Sequence, residues 1–473
     1  MFIINCVYDR ECDCMSIHEN SDVRVPINSD SVSIKRDDSK CILCGNCRSV
    51  CKFNQGVYGR YDLEKTFDKA ICIECGQCSN VCPTSAICEV KDYLKVKEYI
   101  KNDEYVVIFQ TAPATRVSLG EEFGLEVGTF VQGKLVGALK ELGASYVFDT
   151  AYGADLTIME EANELIERIQ NNGVLPMFTS CCPAWVKFLE IFYPDYIPNL
   201  SSTKSPILMQ GAIIKTYFAK KMNIDPEKII HVAVTPCTAK KYEIKREEMN
   251  DSGEFLNKNI RDVDYVITVR ELASWLKEEN IDFNLIEEQE YDSLLGEASG
   301  AGVIFGSTGG VMEAALRTAH FYITGERLSD ENIEFKSVRG LEGIKEANIL
   351  IGDYPLSIAV VTGTNNAHKF FEMLDNKHYD FVEVMACLGG CVAGGGQPKV
   401  EQTIEQLEKE KRASSLYKQD RLLKRCSYEN KEIQTLYKEF LKEPGSEISK
   451  KLLHTTYSSK SEMLGEESKE ILV

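Results

Sequence analysis

The chain has 473 residues, 44% hydrophobic and 27% charged, so it exceeds one ordinary core and two or three domains are expected. Its formal charge of −19 excludes a nucleic-acid partner, which needs clustered Lys and Arg, and no apolar run is long enough to span a membrane. Eighteen cysteines against six histidines, with no secretory leader at the start, point to a cytoplasmic protein whose thiols ligate metal or catalyse rather than form disulfides.

Residues 1–36 form a short polar region in which Cys6, Cys12 and Cys14 are either a metal site or incidental thiols. Residues 37–92 are dense in cysteine. CILCGNCRSVC spaces Cys41, Cys44, Cys47 and Cys51 by gaps of two, two and three residues, and CIECGQCSNVCP repeats the spacing with Cys72, Cys75, Cys78 and Cys82. Gaps of two let three thiolates of one loop hold three corners of an iron–sulfur cube, while the fourth cysteine serves the other cube. The pattern assigns Cys41, Cys44, Cys47 and Cys82 to one [4Fe–4S] cluster and Cys72, Cys75, Cys78 and Cys51 to a second, in a bacterial ferredoxin-like domain. Two four-cysteine zinc sites are the alternative, disfavoured by the doubled spacing and by Pro83 after the last cysteine.

Residues 93–411 alternate β-rich and amphipathic stretches, as α/β domains do. YVVIF (105–109), MF (177–178), HVAV (231–234) and DFVEV (380–384) read as strands running into QTAPATR, TSCCPAW, TPCTAKKYE and MACLGGC. Pro183 and Pro236 suit the first turns of helices, whose positive dipole ends stabilise thiolates. Cys181, Cys182, Cys237, Cys387 and Cys391 are therefore expected to meet in a crevice at the carboxyl ends of strands. A lone buried cysteine can be a mere small hydrophobe, but five at strand ends beside glycine runs favour a site.

LTIMEEANELIERIQNNG reads as a helix with a Thr157–Glu160 capping box, an apolar face of Met159, Ala162, Leu165, Ile166 and Ile169, and a stop at Gly173. By pattern alone Glu161, Glu164 and Arg168 form a solvated face with a Glu–Arg pair. GSTGGVMEAALR (306–317) lacks the Lys-Ser/Thr ending of a P-loop, so close backbone packing near the crevice is expected instead. Residues 412–453 read as helical wrapping and 454–473 as a disordered, polar tail.

TSCCPAW, TPCTAKKYE and FVEVMACLGGCVAGGGQP resemble the three active-site signatures of the [FeFe]-hydrogenases. The similarity runs through GADLTIMEEANELIERI, NLSSTKSP and FGSTGGVMEAALR to RASSLYKQD, over roughly residues 37–450. The resemblance implies an α/β, two-lobed H-cluster domain of twisted mixed β-sheets flanked by helices, behind the ferredoxin-like domain. It implies an H-cluster: a [4Fe–4S] cube on Cys182, Cys237, Cys387 and Cys391, with Cys391 bridging to a di-iron unit carrying CO, cyanide and an azadithiolate. Cys181 becomes the proton-relaying thiol, followed by Glu161, Ser201, Glu164 and Arg168 near the exit. Lys240 becomes a hydrogen-bond donor to a cyanide, and Ala112, Pro113, Thr235 and Met385 line the cofactor.

The implied activity is reversible oxidation of dihydrogen to protons and electrons in anaerobic hydrogen metabolism, with ferredoxin or flavodoxin as electron partner and maturation proteins supplying the di-iron unit. Non-catalytic relatives, hydrogen sensors and iron–sulfur assembly factors, are the alternative; an intact Cys181 and proton path stand against them. There is no Rossmann fingerprint for NAD and no further cluster module, so a stand-alone enzyme is favoured over an electron-bifurcating subunit. Two residues depart from the family pattern. Thr235 stands where many members have methionine and Ala114 where they have serine, and Ala114 cannot donate to a cyanide, so a bias toward hydrogen oxidation is expected.

Overall fold

The computed structural model describes residues 23–465 apart from Phe67, Glu342, Asp375 and Gln402. Cys6, Cys12 and Cys14 lie outside the described residues, as do residues 466–473.

The cysteine-dense module begins earlier than residue 37. Strand β1 (Ile34–Arg36) pairs antiparallel with β2 (Ile87–Glu89), tying the two ends of the module together. Between them each cysteine loop runs into one short helix, Asn46–Ser49 or Gln77–Asn80, through a glycine in the left-handed region: Gly45 at φ 78° and Gly76 at φ 71°. Val25, Ile34, Val50, Ala86 and Ile87 form the small core beneath the thiols.

The next part contains two four-stranded sheets, built from β3 (Val106–Thr111), β4 (Tyr146–Asp149), β5 (Met177–Phe178), β6 (Ile229–Thr235), β7 (Tyr265–Thr268), β8 (Ile344–Ile351), β9 (Tyr354–Thr362) and β10 (Phe381–Met385). One sheet has the order β4-β3-β6-β7 and is wholly parallel. The other has the order β5-β10-β9-β8, parallel except for the β8–β9 hairpin. Every residue of β6 and β10 is buried, as expected of central parallel strands covered by helices on both faces. All four strands expected from the sequence are present, β3 and β6 longer than their apolar runs.

The helix bearing Glu161 spans Thr150–Gln170 and starts seven residues before the expected capping box. Asp149 caps it by accepting the Ala151 N–H at 2.8 Å. Thr157 instead turns its hydroxyl back to the Gly153 carbonyl at 3.0 Å, and Glu160 bonds to the C-terminal segment. Gly153 lets this early stretch press against the helix Pro206–Ile213, where a Cβ would collide with the Pro206 carbonyl. Pro183 opens the helix Pro183–Phe192 as expected. Pro236 does not open one: the helix Ala239–Glu243 begins beyond Thr238, leaving Pro236 and Cys237 in the turn.

The glycine run at 306–310 packs closely, and the anion at the start of the following helix, Gly310–Thr324, is the protein's own. Glu383 of β10, fully buried, accepts the Gly309 and Met312 N–H groups at 2.6 and 2.7 Å.

The helix Glu405–Leu422 crosses the expected boundary at 411, and helices Lys431–Leu436 and Glu447–Leu453 continue the wrapping. The disordered-tail expectation is overturned for residues 454–465. Lys204 N–H donates to the Leu453 carbonyl and Thr455 N–H to that of Ser202, Lys460 pairs with buried Glu190 at 3.0 Å, and Leu464 is buried in a core. A polar composition hides these anchors because backbone pairing needs no apolar side chain. The wrapping is locked by Asp420, which pairs with fully buried Arg317 at 2.8 Å and with Arg425 at 2.8 Å. Asp420→Ala takes one charged hydrogen-bond partner from Arg317, which keeps its pairing with buried Glu313, and should cost about 1.5–3 kcal/mol, read as a lower denaturation midpoint. Among the described residues no helix is long and apolar enough to cross a membrane.

Candidate active site

Strands from both sheets end at one cavity. β3 delivers Ala112, Pro113 and Ala114, β5 delivers Cys181 and Cys182, β6 delivers Thr235 and Cys237, and β10 delivers Met385 with Cys391 beyond it. These residues, with Lys240, enclose about 80 Å³. Cys387 stands behind this wall, its Sγ accepting a hydrogen bond from Gln77 Nε2 at 3.2 Å. Cys182 Sγ accepts the Ala386 N–H at 3.5 Å.

Burial pushes the Cys237 thiol up to about 11, with Cys182 adding to it. Cys391 is raised well above the usual thiol range, first by burial and then by Cys237, Cys182 and Cys387. Thiols raised in this way keep their protons and carry no charge; held as thiolates they would need a cation to offset them, and cluster iron is such a cation. The donor set and the enclosed space beside it thus fit a cluster carrying a further unit.

Lys240 is buried and donates to the Cys181 carbonyl at 3.0 Å and to Glu243 at 2.9 Å. An ammonium has three donors, so one remains to face the cavity. Ala114 is fully buried and offers the cavity a methyl group, and the Thr235 hydroxyl is turned to the Cys237 carbonyl at 3.0 Å.

In the ferredoxin-like module Cys51, Cys72, Cys75 and Cys78 surround one space of about 30 Å³. Cys41, Cys44, Cys47 and Cys82 surround another of about 20 Å³. The grouping is the one the spacing suggests. Cys44 is exposed beside Ile42 and Leu43, so the second set lies at the surface. The first set abuts the far wall of the cavity at the strand ends. Gln77 links Cys387 to its own loop and also donates to the Ala393 carbonyl at 2.8 Å, and Thr238 Oγ1 donates to the Glu74 carbonyl at 2.6 Å. A buried Glu74–Lys187 pair at 3.0 Å ties the same loop to the helix Pro183–Phe192. Sequence reading missed Gln77, because it fills a spacer position of the cysteine motif and carries no signal of its own.

The helix Thr150–Gln170 buries Glu161 completely, so the solvated-face reading fails there. Neither Glu161 oxygen has a hydrogen-bond partner among the described residues. Burial, then the charge of Glu164, pushes its carboxyl up to about 8, while Ser201 opposes the shift without reaching bonding geometry. Burial and then Glu161 hold the Cys181 thiol well above its ordinary range, so both groups carry protons at neutral pH. Ser201 Oγ donates to Glu164 at 2.9 Å, and Arg168 Nη2 donates to the same carboxylate at 2.6 Å. Glu164 and Arg168 border a surface cavity of about 330 Å³. Cys181 and Glu161 thus lie inside, and Ser201, Glu164 and Arg168 lead outward.

Known families match three parts of the chain: the iron-only hydrogenase large subunit, C-terminal domain (residues 105–395), the iron hydrogenase small subunit (406–460) and a 4Fe-4S dicluster domain (13–87). Iron hydrogenase 1 of Clostridium pasteurianum is 45% identical over 448 residues, covering 91% of this chain and 77% of that one. The periplasmic [Fe] hydrogenase large subunit of Nitratidesulfovibrio vulgaris is 45% identical over 309 residues, 64% of this chain and 71% of that one. A solved structure of the [FeFe]-hydrogenase HydA1 from Chlamydomonas reinhardtii aligns with a TM-score of 0.69 at 38% identity, covering 78% of this chain and 99% of that one. Protein NAR1 of Arabidopsis thaliana, at 31% identity over 74% of this chain and 77% of that one, is more distant. Fold, thiol constellation and similarity agree: the chain belongs to the [FeFe]-hydrogenase family.

Proposed function

We propose that Cys182, Cys237, Cys387 and Cys391 would hold the H-cluster in an enzyme that interconverts dihydrogen with protons and electrons. The observation that carries this reading is that Cys182, Cys237 and Cys391 line one cavity, with Cys387 behind its wall and a fifth thiol, Cys181, beside them. When bound, the H-cluster supplies the redox chemistry and the place where dihydrogen is split or formed. The chain's own residues do the rest. Lys240 presents a fixed positive charge, and Pro113, Pro206 and Phe305 keep bulk water out. The Cys181 thiol hands protons to and from Glu161, and Ser201 and Glu164 carry them outward.

Electrons leave by the opposite wall. The order Cys387, then the Cys51–Cys72–Cys75–Cys78 set, then the exposed set with Cys44, forms a wire to the surface. A ferredoxin or flavodoxin docking near Cys44 would complete it, and separate maturation proteins would supply the di-iron unit. The abundance of thiols suits the reducing cytoplasm. A sensor or an assembly factor is disfavoured because the whole proton path is present and the cytosolic Fe-S cluster assembly factor narfl of Xenopus tropicalis, at 31% identity, is more distant than Iron hydrogenase 1 at 45%.

The test is infrared spectroscopy of anaerobically purified, matured protein beside a hydrogen-oxidation assay. CO and cyanide bands with turnover support the assignment, and their absence after maturation removes it. We further propose that Ala114 and Thr235 bias the enzyme toward hydrogen oxidation. Restoring a donor with Ala114→Ser adds a hydrogen bond to a charged ligand, about 1.5–3 kcal/mol in relative state energies. Ala114→Ser and Thr235→Met should therefore lower the ratio of oxidation to evolution rates, measured by paired assays.

A further inference from the structure

The proton route carried over from the family signatures ends on Arg168, and a guanidinium can only donate. Arg168 therefore holds Glu164, through Nη2 at 2.6 Å and Nε at 3.1 Å, and cannot accept what Glu164 releases. On the other side of that carboxylate Ser202 donates from Oγ at 3.1 Å and from its N–H at 3.0 Å. Ser202 Oγ in turn lies 2.8 Å from Nδ1 of His454. The far side of that ring is oriented by Glu160, whose Oε2 is 3.1 Å from Nε2. Glu160 is itself fixed by the Tyr437 hydroxyl at 2.6 Å and the Gly445 N–H at 2.7 Å.

The backbone holds the two partners side by side. His454 bridges to Thr203, and the Thr455 N–H donates to the Ser202 carbonyl at 2.7 Å. The imidazole is 11% exposed and shares the 330 Å³ surface cavity with Glu164, Ser202 and Arg168. The charged and titratable groups facing it are Glu160, Glu164, Glu167 and Arg168 of the helix Thr150–Gln170, Lys450 of the helix Glu447–Leu453, and Tyr437.

We propose that His454 is the last relay of the proton route, taking the proton from Glu164 through Ser202 and releasing it to water in the surface cavity. In the hydrogen-oxidising direction the Glu164 O–H proton moves to Ser202 Oγ as the Ser202 hydroxyl proton moves to His454 Nδ1. The carboxyl becomes a carboxylate, the serine is unchanged, and the imidazole becomes imidazolium until Nδ1 gives its proton to water. Hydrogen evolution runs the same steps in reverse. One proton moves and no electron is transferred. The inference rests on the assignment of Glu161 and Glu164 to proton transfer.

The test compares matured parent enzyme, His454→Gln, Ser202→Ala and Glu161→Gln, following hydrogen oxidation against pH with and without added imidazole. Infrared bands of CO and cyanide report cofactor content. Gln keeps a polar side chain but takes up no proton. Both His454→Gln and Ser202→Ala should lose turnover on the order of tenfold, less than the 10²–10⁴ of a directly acting acid or base because cavity water offers a slower exit. The pH profile of His454→Gln should change shape, imidazole should restore its rate, and its infrared bands should match the parent. A parental rate and profile in either variant, with Glu161→Gln inactive, overturns the role of His454 alone. A rate loss with an unchanged profile and no imidazole rescue overturns it too, as a structural effect. Parental rates in all three variants overturn the underlying route.

Discussion

Glu161→Gln is expected to remove nearly all hydrogen turnover, roughly 10²–10⁴-fold, while leaving every cluster in place. Glu161 is the carboxyl next to Cys181 in the buried stretch of the route, and glutamine matches its shape but carries no transferable acid proton. The same substitution should raise stability. Burial, then Glu164, moves the Glu161 pKa from an ordinary 4.5 up to about 8. Below pH 4.5 folded and unfolded chains both hold the proton and the group is neutral to folding. As pH rises from 4.5 toward 8 the unfolded carboxyl ionises first, so the parent loses stability across that window, on the order of a few kcal/mol by its upper end. Glutamine removes the loss. The variant should therefore unfold at higher denaturant than the parent at pH 8 and at the same denaturant at pH 4, while turning over far more slowly. A residue kept for packing would show the opposite.

The second large effect is expected from Cys181→Ala. Cys181 lines the cavity but is not among the four thiols assigned to the cube, and burial with Glu161 nearby keeps it protonated. Alanine removes the first proton carrier without removing a cluster ligand. Turnover should fall by roughly 10²–10⁴-fold with the CO and cyanide bands retained. Loss of those bands would instead make Cys181 a ligand and reopen the division of labour among the five cysteines.

Cluster chemistry was legible in the sequence because ligand spacing is local: Cys41, Cys44 and Cys47 sit on one turn, and the chain must place them together. The strands leading to Ala112, Cys181, Thr235 and Met385 were legible for a similar reason, as short apolar runs broken by proline or glycine. What the pattern hid is what long-range packing decides. Glu161 and Glu164 share a helix face with Arg168 and look solvated until Ser201, Ser202 and His454 cover them. Thr157 and Glu160 imitate a helix start, yet Asp149 provides the true cap eight residues earlier. The tail looked disordered because most of its anchors are polar: His454 and Thr455 pair through backbone and side chain, Lys460 makes an ion pair, and Leu464 reaches a core. Gln77 was silent because a spacer residue gains meaning only once Cys387 is beside it.

The most direct measurement is infrared spectroscopy combined with hydrogen-oxidation rates on anaerobically matured parent and Glu161→Gln proteins prepared side by side. The expected result is the same CO and cyanide bands in both, with turnover only in the parent. Bands missing from the parent, or a variant that turns over at the parental rate, would contradict the account of a buried thiol-held cluster served by a proton route through Glu161.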